Sequence, residues 1–139
     1  MEVPDRIVFD AEPLIAHTDD EPGSDIVEEY LDAVAVKDTA SYISCVNLAE
    51  IRCTIAQKYD RDTADEYLDW LTDLGIETVD VGDVWMNASE CVFQYNSALG
   101  DSFALAIAED VEATLIVGGD DDHDEIADVS IERVREGSA

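Results

Sequence analysis

The sequence predicts a single α/β domain in three layers: a mostly parallel five-stranded sheet with helices on both faces. Short apolar runs of strand length alternate with longer amphipathic stretches, the pattern of strand–helix–strand crossovers. Two of the runs, Ile7-Val8-Phe9 and Thr114-Leu115-Ile116-Val117, are unbroken, as expected of strands covered on both sides. The chain has 139 residues, 47% of them hydrophobic, which suits one ordinary core. No repeat, low-complexity linker or second domain interrupts the pattern, so residues 1–139 are read as one domain.

The elements follow in order. Ile7-Val8-Phe9 stops at Asp10 and reads as a buried strand. Residues 12–17 make a single helical turn, with Pro13 tolerated in it. Asp19-Asp20-Glu21-Pro22-Gly23 is a loop. Ser24 caps a helix running to Val36, whose apolar stripe is Ile26, Val27, Tyr30, Leu31 and Val34. Residues 40–46 form a second strand. Asn47 begins a helix with Leu48, Ile51, Ile55 and Tyr59 on its inner face. A further helix over 62–74 carries Ala64, Tyr67, Leu68 and Leu71 and stops at Gly75. Residues 76–81 alternate as a third strand, and 83–95 are helical. Asp101 opens a strongly apolar helix through Ala108, Thr114 to Val117 is the fourth strand, and 129–134 alternate as the last.

Charge is the unusual property. Thirty-five Asp and Glu face seven Lys and Arg, a net charge of −28. In dilute buffer such a surface repels itself. In molar salt the Debye length falls to about 3 Å and the repulsion is screened. The acids are spread between periodic apolar residues rather than gathered in a tail, and the composition resembles cytoplasmic proteins of extreme halophiles, which work in concentrated KCl. A broad basic face for nucleic acid is excluded. Nucleic acid itself is not, because counterion release fades as a driving force when bulk salt rises; a phosphate ligand would be held through metal and short-range contacts. No apolar run approaches the roughly 20 residues of a membrane span, and residues 1–6 lack the order of a secretory leader. The expected compartment is the cytoplasm. Cys45, Cys53 and Cys91 form no C-x-x-C pair and read as small buried hydrophobes. Trp70, Trp85, Tyr67 and Phe93, at helical spacings, read as core or dimer surface.

Ligand sites of parallel sheets lie beyond the carboxyl ends of the strands, and four acids fall there. Asp10 ends the first strand and Asp120 follows the fourth. Glu50 sits one turn into the helix after the second strand, and Asp101 starts the helix before the fourth. Asp122 lies two residues past Asp120. Each has an ordinary alternative: Asp10 and Asp101 as helix caps, Asn47 with Glu50 as a capping box, and residues 120–125 as a solvated loop. Acids occupy about a quarter of all positions, so their placement at apolar strand ends weighs more than their number. Carboxylates about 4 Å apart repel by about 4 kcal/mol at an effective dielectric near 20. A converging set is relieved by protons or cations. An all-oxygen set without His or Cys selects hard ions, Mg²⁺ or Mn²⁺, and suits in-line hydrolysis of a phosphodiester.

Four stretches carry a family resemblance: Val8-Phe9-Asp10, Val46-Asn47-Leu48-Ala49-Glu50-Ile51, Leu99-Gly100-Asp101-Ser102-Phe103-Ala104-Leu105-Ala106 and Ala113-Thr114-Leu115-Ile116-Val117-Gly118-Gly119-Asp120. In order and spacing they resemble the PIN domain, and within it the VapC-type toxins. The resemblance implies a parallel five-stranded sheet and a Mg²⁺- or Mn²⁺-dependent ribonuclease acting on single-stranded or structured RNA. It also implies a homodimer and a small inhibitory antitoxin. Position by position it assigns Asp10, Glu50, Asp101 and Asp120 as catalytic, metal-binding acids, with Asp122 as a further metal ligand. The chain departs from the family in three places. Ala11-Glu12 stands where Thr-Ser often follows the first Asp, Gly118 stands where Thr often precedes Gly-Asp, and His123 stands where an aromatic is common. Missing hydroxyls loosen the support of Asp10 and Asp120; Glu12 is expected to face water and His123 to sit in an exposed loop. His17 carries no functional signal, Arg52 points away from Glu50, and Arg133 and Arg135 share one face of the last strand.

Two other functions fit less of the chain. A haloacid-dehalogenase-like phosphatase would use Asp10 as nucleophile and Gly119-Asp120 with Asp124 as its magnesium loop. It lacks the second Asp of its motif, where Glu12 stands, and a lysine near a strand end. A non-catalytic PIN-fold binding module would explain Ala11 and Gly118. The residues around 62–95 are the expected dimer face.

Overall fold

The computed structural model describes residues 2–119, 126 and 128–134. Five strands, β1 (Arg6–Phe9), β2 (Ala40–Ser44), β3 (Glu77–Val79), β4 (Thr114–Val117) and β5 (Ile131–Arg133), form one sheet in the order β3-β2-β1-β4-β5. Every pairing is parallel. Among the described residues six helices accompany them: α1 (Ala11–Thr18), α2 (Ser24–Ala35), α3 (Cys45–Lys58), α4 (Arg61–Leu74), α5 (Val81–Tyr95) and α6 (Leu99–Val111). The chain runs outward from β1 through β2 to β3, then returns to the other side for β4 and β5. The strand order therefore reverses at β1, and a crevice opens beyond its carboxyl end. The sequence reading of a three-layer, parallel, five-stranded α/β fold is the observed fold.

Alternation along β1 explains why its run is unbroken. Ile7 and Phe9 point into a core with Leu14 of α1, Val27, Tyr30, Leu31 and Val34 of α2, Ile51 and Ile55 of α3, and Leu71 of α4. Val8 points the other way, with Leu115 and Val117, onto Val84, Ala88 and Cys91 of α5 and Phe103 and Ile107 of α6. Ile7, Val8 and Phe9 are all fully buried, each such side chain contributing about 1.5–3 kcal/mol.

Several helix starts differ from the sequence reading. The turn after Asp10 is a two-turn helix, because Asp10 itself occupies the cap position and accepts from Ala11 N–H at 2.9 Å. Ser24 is the first residue of α2 rather than its cap; its hydroxyl donates to Asp20 (2.9 Å), and Gly23 precedes the helix. β2 ends at Ser44, which caps α3 by accepting from Asn47 N–H at 3.0 Å. Asn47 is therefore the third residue of α3 rather than its start, and the alternative of an Asn47–Glu50 capping box does not apply. Asp60 caps α4, whose end is Gly75 with φ +116°, a left-handed position that glycine adopts without strain. α6 begins at Leu99 behind Ala98, so Asp101 lies in its first turn and is not a cap. β3 and β5 are three residues each, shorter than the alternation suggested, as befits edge strands.

Among the cysteines only Cys91 is fully buried, and burial pushes its thiol up to about 11; Cys53 is exposed, contrary to the sequence reading. Tyr59 closes α3 and is exposed rather than core. No helix among the described residues is long and apolar enough to cross a membrane.

Candidate functional site

Asp10 stands at the reversal point of the sheet. Its N–H donates to Ile116 O at 3.0 Å, so it is the last residue tied to the β1–β4 ladder and the residue that starts α1. This double commitment fixes its side chain with only 5% of the residue exposed. A carboxylate so buried is costly unless neutralised. Burial first, and then the charge of Asp101, hold the Asp10 carboxyl well above the ordinary aspartate range; Glu50 adds to the rise, while the Ala11 N–H opposes it. Asp10 and Asp101 share a hydrogen bond. Two carboxyl groups in this arrangement favour retention of a proton by one of them, in line with the upward direction of the Asp10 pKa.

Glu50 comes from the second turn of α3, at the open mouth of the crevice. Its carboxyl is also raised, first by desolvation and further by Asp101, against a lowering hydrogen bond from Asn47. Its carboxylate fills the place where a side chain on Gly100 would be: a Cβ there would stand 2.9 Å from Glu50 Cδ. Gly100, the residue before Asp101, lets α3 and α6 approach at this point.

The residue that organises these acids is Asn47, which the sequence pattern marks as a helix start or as half of a capping box with Glu50. It is fully buried. The Ser44 hydroxyl accepts from Asn47 N–H, so its proton is directed to Asn47 Oδ1 at 2.7 Å. That fixes the amide, and Nδ2 turns to the acids. It donates to Glu50 Oε1 (2.8 Å) and Gly100 O (3.2 Å), with a longer 3.5 Å approach to Asp10 Oδ1. One side chain thereby links β1, α3 and α6. Beside Asp101, Ser102 is buried and donates to Ala98 O (2.8 Å), with Ser97 at 2.6 Å. The Asn47–Glu50 spacing was the available signal for the first of these; nothing in the pattern marked the serines.

The amino-terminal ends of α1, α3 and α6 all meet in this crevice, and their partial positive charges favour anions there. Among the described residues no Lys or Arg takes part in the electrostatics of Asp10 or Glu50. Lys58 pairs with Asp19 and Arg52 with Asp65 on α4, which confirms that Arg52 turns away from Glu50. His17 sits on the other flank of α1, where its ring nitrogens meet Tyr67 OH (2.9 Å) and Glu28 (2.5 Å) and its ring stacks on Trp70. That is a structural tie between helices.

Of the five site residues named from sequence, Asp10, Glu50 and Asp101 are brought together. Asp120 and Asp122 lie outside the described residues, as do His123 and Arg135. Among the described residues no three acidic, His or Cys side chains surround a common point in the manner of a formed metal site. Asn47 holds Glu50 over Gly100, and Asp10 and Asp101 interact with each other.

Comparison with known proteins bears on this arrangement. The family model described as PIN domain matches residues 7–129. A search of curated proteins returns no match. Among solved structures, the chain is similar to VapBC2 from Rickettsia felis bound to a promoter DNA fragment. The TM-score is 0.72 at 16% identity, over 92% of this chain and 98% of that one. It is also similar to a toxin–antitoxin complex from Klebsiella pneumoniae, with TM-score 0.70, 17% identity, and 94% and 98% covered. A third is VapBC-5 from Mycobacterium tuberculosis, with TM-score 0.54, 23% identity, and 94% and 99% covered. At these identities the likeness is one of fold.

Proposed function

Because the chain belongs to the PIN domain family, we propose that it is a Mg²⁺- or Mn²⁺-dependent endoribonuclease and the toxin of a VapBC-type toxin–antitoxin pair. The observation that carries the reading is the buried Asp10 carboxyl at the reversal point of the sheet, hydrogen-bonded to Asp101 and facing Glu50. The donor set fits a hard divalent ion: carboxylate oxygens without His or Cys, in a crevice whose unbalanced negative charge a cation relieves. Asp10 and Asp101 would hold the ion, with Glu50, oriented by Asn47, beside them, and Asp120 and Asp122 completing the set. When bound, such an ion polarises a phosphate oxygen and lowers the pKa of a coordinated water.

The protein's own share of the chemistry is positional. Asp10 cannot move without breaking both the β4 ladder and the start of α1. Asn47 keeps Glu50 within reach of the crevice, and the three helix ends favour the anionic substrate. With no Lys or Arg among the described residues at Asp10 or Glu50, RNA would be held chiefly through its phosphate on the ion, which suits work in molar salt. Family membership leaves no place for the phosphatase alternative.

The test is cleavage of single-stranded RNA in molar KCl with and without Mn²⁺. The expected result is ion-dependent cleavage, lost in Asp101→Asn. Cleavage that survives chelation, or survives that substitution, contradicts the reading. A chain with no divalent-ion site that still binds a partner stably would be a non-catalytic binding module.

Two partners belong to the same proposal. The structural neighbours include toxin–antitoxin complexes, which supports an antitoxin partner for this chain. Exposed apolar residues gather on α5 and the start of α6, with Trp85 at 54%, Met86 at 59% and Phe93 at 81% exposure. Met86 and Phe93 are two helical turns apart and project from one face. Apolar side chains this open mark an interaction surface, which supports a homodimer. Light scattering in molar KCl is expected to give twice the chain mass for the native protein and a monomer for Phe93→Glu. A native monomer contradicts it.

A further inference from the structure

Glu12 is the second residue of α1, and its carboxylate lies against Gly118, the first residue past β4. A Cβ on Gly118 would stand 2.6 Å from Glu12 Oε1 and 2.8 Å from Oε2, so the carboxylate occupies the volume a side chain there would take. Gly118 is buried and does not adopt the left-handed backbone conformation; among the described glycines only Gly23 and Gly75 do. Backbone geometry therefore does not call for glycine at 118, and the carboxylate does.

The arrangement repeats one at the start of α6. There the Glu50 carboxylate rests in the notch of Gly100, also outside the left-handed region. Phe9 is in register with Ile116, and the Asp10 N–H joins Ile116 O. Glu12 and Gly118 are thus each two residues beyond the point where β1 and β4 part. An acid in the first turn of a helix is favoured by the helix dipole on any open surface. An open surface needs no notch to receive it. Glu12 is half-buried and turned inward onto the strand end, contrary to the expectation that it faces water.

We propose that Glu12 is a further carboxylate of the divalent-ion site and that Gly118 is glycine in order to admit it. The proposal rests on the metal-dependent reading of the Asp10 crevice. The test is a calorimetric Mn²⁺ titration of the full chain in molar KCl, with the thermal midpoint of each ion-free variant recorded alongside. Glu12→Gln keeps the shape and removes the charge. It is expected to lower Mn²⁺ affinity about 10- to 100-fold without lowering the ion-free midpoint. Gly118→Ala is expected to lower affinity comparably, because the methyl group expels the carboxylate. In a Glu12→Ala background, adding Gly118→Ala is expected to change affinity by no more than about twofold. Native affinity in Glu12→Gln, or a Gly118→Ala loss that persists without Glu12, overturns the proposal and leaves the Asp10 reading standing. A native chain with no Mn²⁺ site overturns both.

Discussion

Asp10→Asn is expected to remove Mn²⁺ binding and lower RNA cleavage about 10³-fold or more, while making the ion-free protein more stable. The loss follows from the several kcal/mol that a metal centre supplies to a phosphodiester transition state. The gain follows from burial. The Asp10 carboxyl has its pKa raised by desolvation and by Asp101 and Glu50, so the folded chain holds its proton more tightly than the unfolded chain. Below the unfolded value both states are protonated and there is no penalty. As pH rises through that value toward the folded one, the unfolded state sheds its proton first and stability falls. Above the folded value the penalty is complete. Asn keeps the shape and cannot ionise. The variant should therefore be more stable at neutral pH by about 0.5–2 kcal/mol, the range typical of relieving a strained functional group. It should also show a shallower fall in thermal midpoint between acid and neutral pH. Midpoints across that range, measured with chelator, check it; a destabilised variant with an unchanged slope would mean that the carboxylate is well accommodated without an ion.

Asn47→Ala is expected to act in the opposite sense on stability and in the same sense on binding. The side chain is fully buried and joins Ser44, Glu50 and Gly100 through three hydrogen bonds. Alanine leaves a cavity and strands the Ser44 hydroxyl proton, a combination that costs about 2–4 kcal/mol. It also releases Glu50 from its fixed approach, which should weaken Mn²⁺ about 10- to 100-fold, as loss of an orienting partner does. Chemical denaturation and ion titration read the two effects separately. An ion affinity equal to that of the native protein would show that Asn47 holds the fold alone. Together the two variants separate a group that the fold tolerates for function from one that serves both.

The fold was legible because parallel sheets write themselves plainly: strands buried on both faces must be apolar throughout, and Ile7-Val8-Phe9 and Thr114 to Val117 are. The crevice was legible for the same reason. A polar residue that ends such a run, as Asp10 does, emerges where the strands open. Helix starts were less so. Ser44 and Asn47 are both good caps, and only the packing of β2 shows that Ser44 takes the role and frees Asn47 to face the acids. The inward turn of Glu12 was hidden because its recess is made by an absent side chain 106 positions along the chain. Pattern and periodicity carry no sign of a space left empty elsewhere. The exposed apolar surface of α5 was half legible, since helical spacing names the face and not what covers it.

In the proposed function, the carboxyls drawn together at the end of β1 form a divalent-ion site. Anomalous diffraction at the manganese edge, from crystals equilibrated with Mn²⁺ in high KCl, measures this directly. The expected result is a peak in contact with oxygens of both Asp10 and Asp101, at about 2.0–2.3 Å, with their mutual hydrogen bond gone. Saturating Mn²⁺ with no peak at Asp10, and Asp10 and Asp101 still bonded to each other, would contradict it.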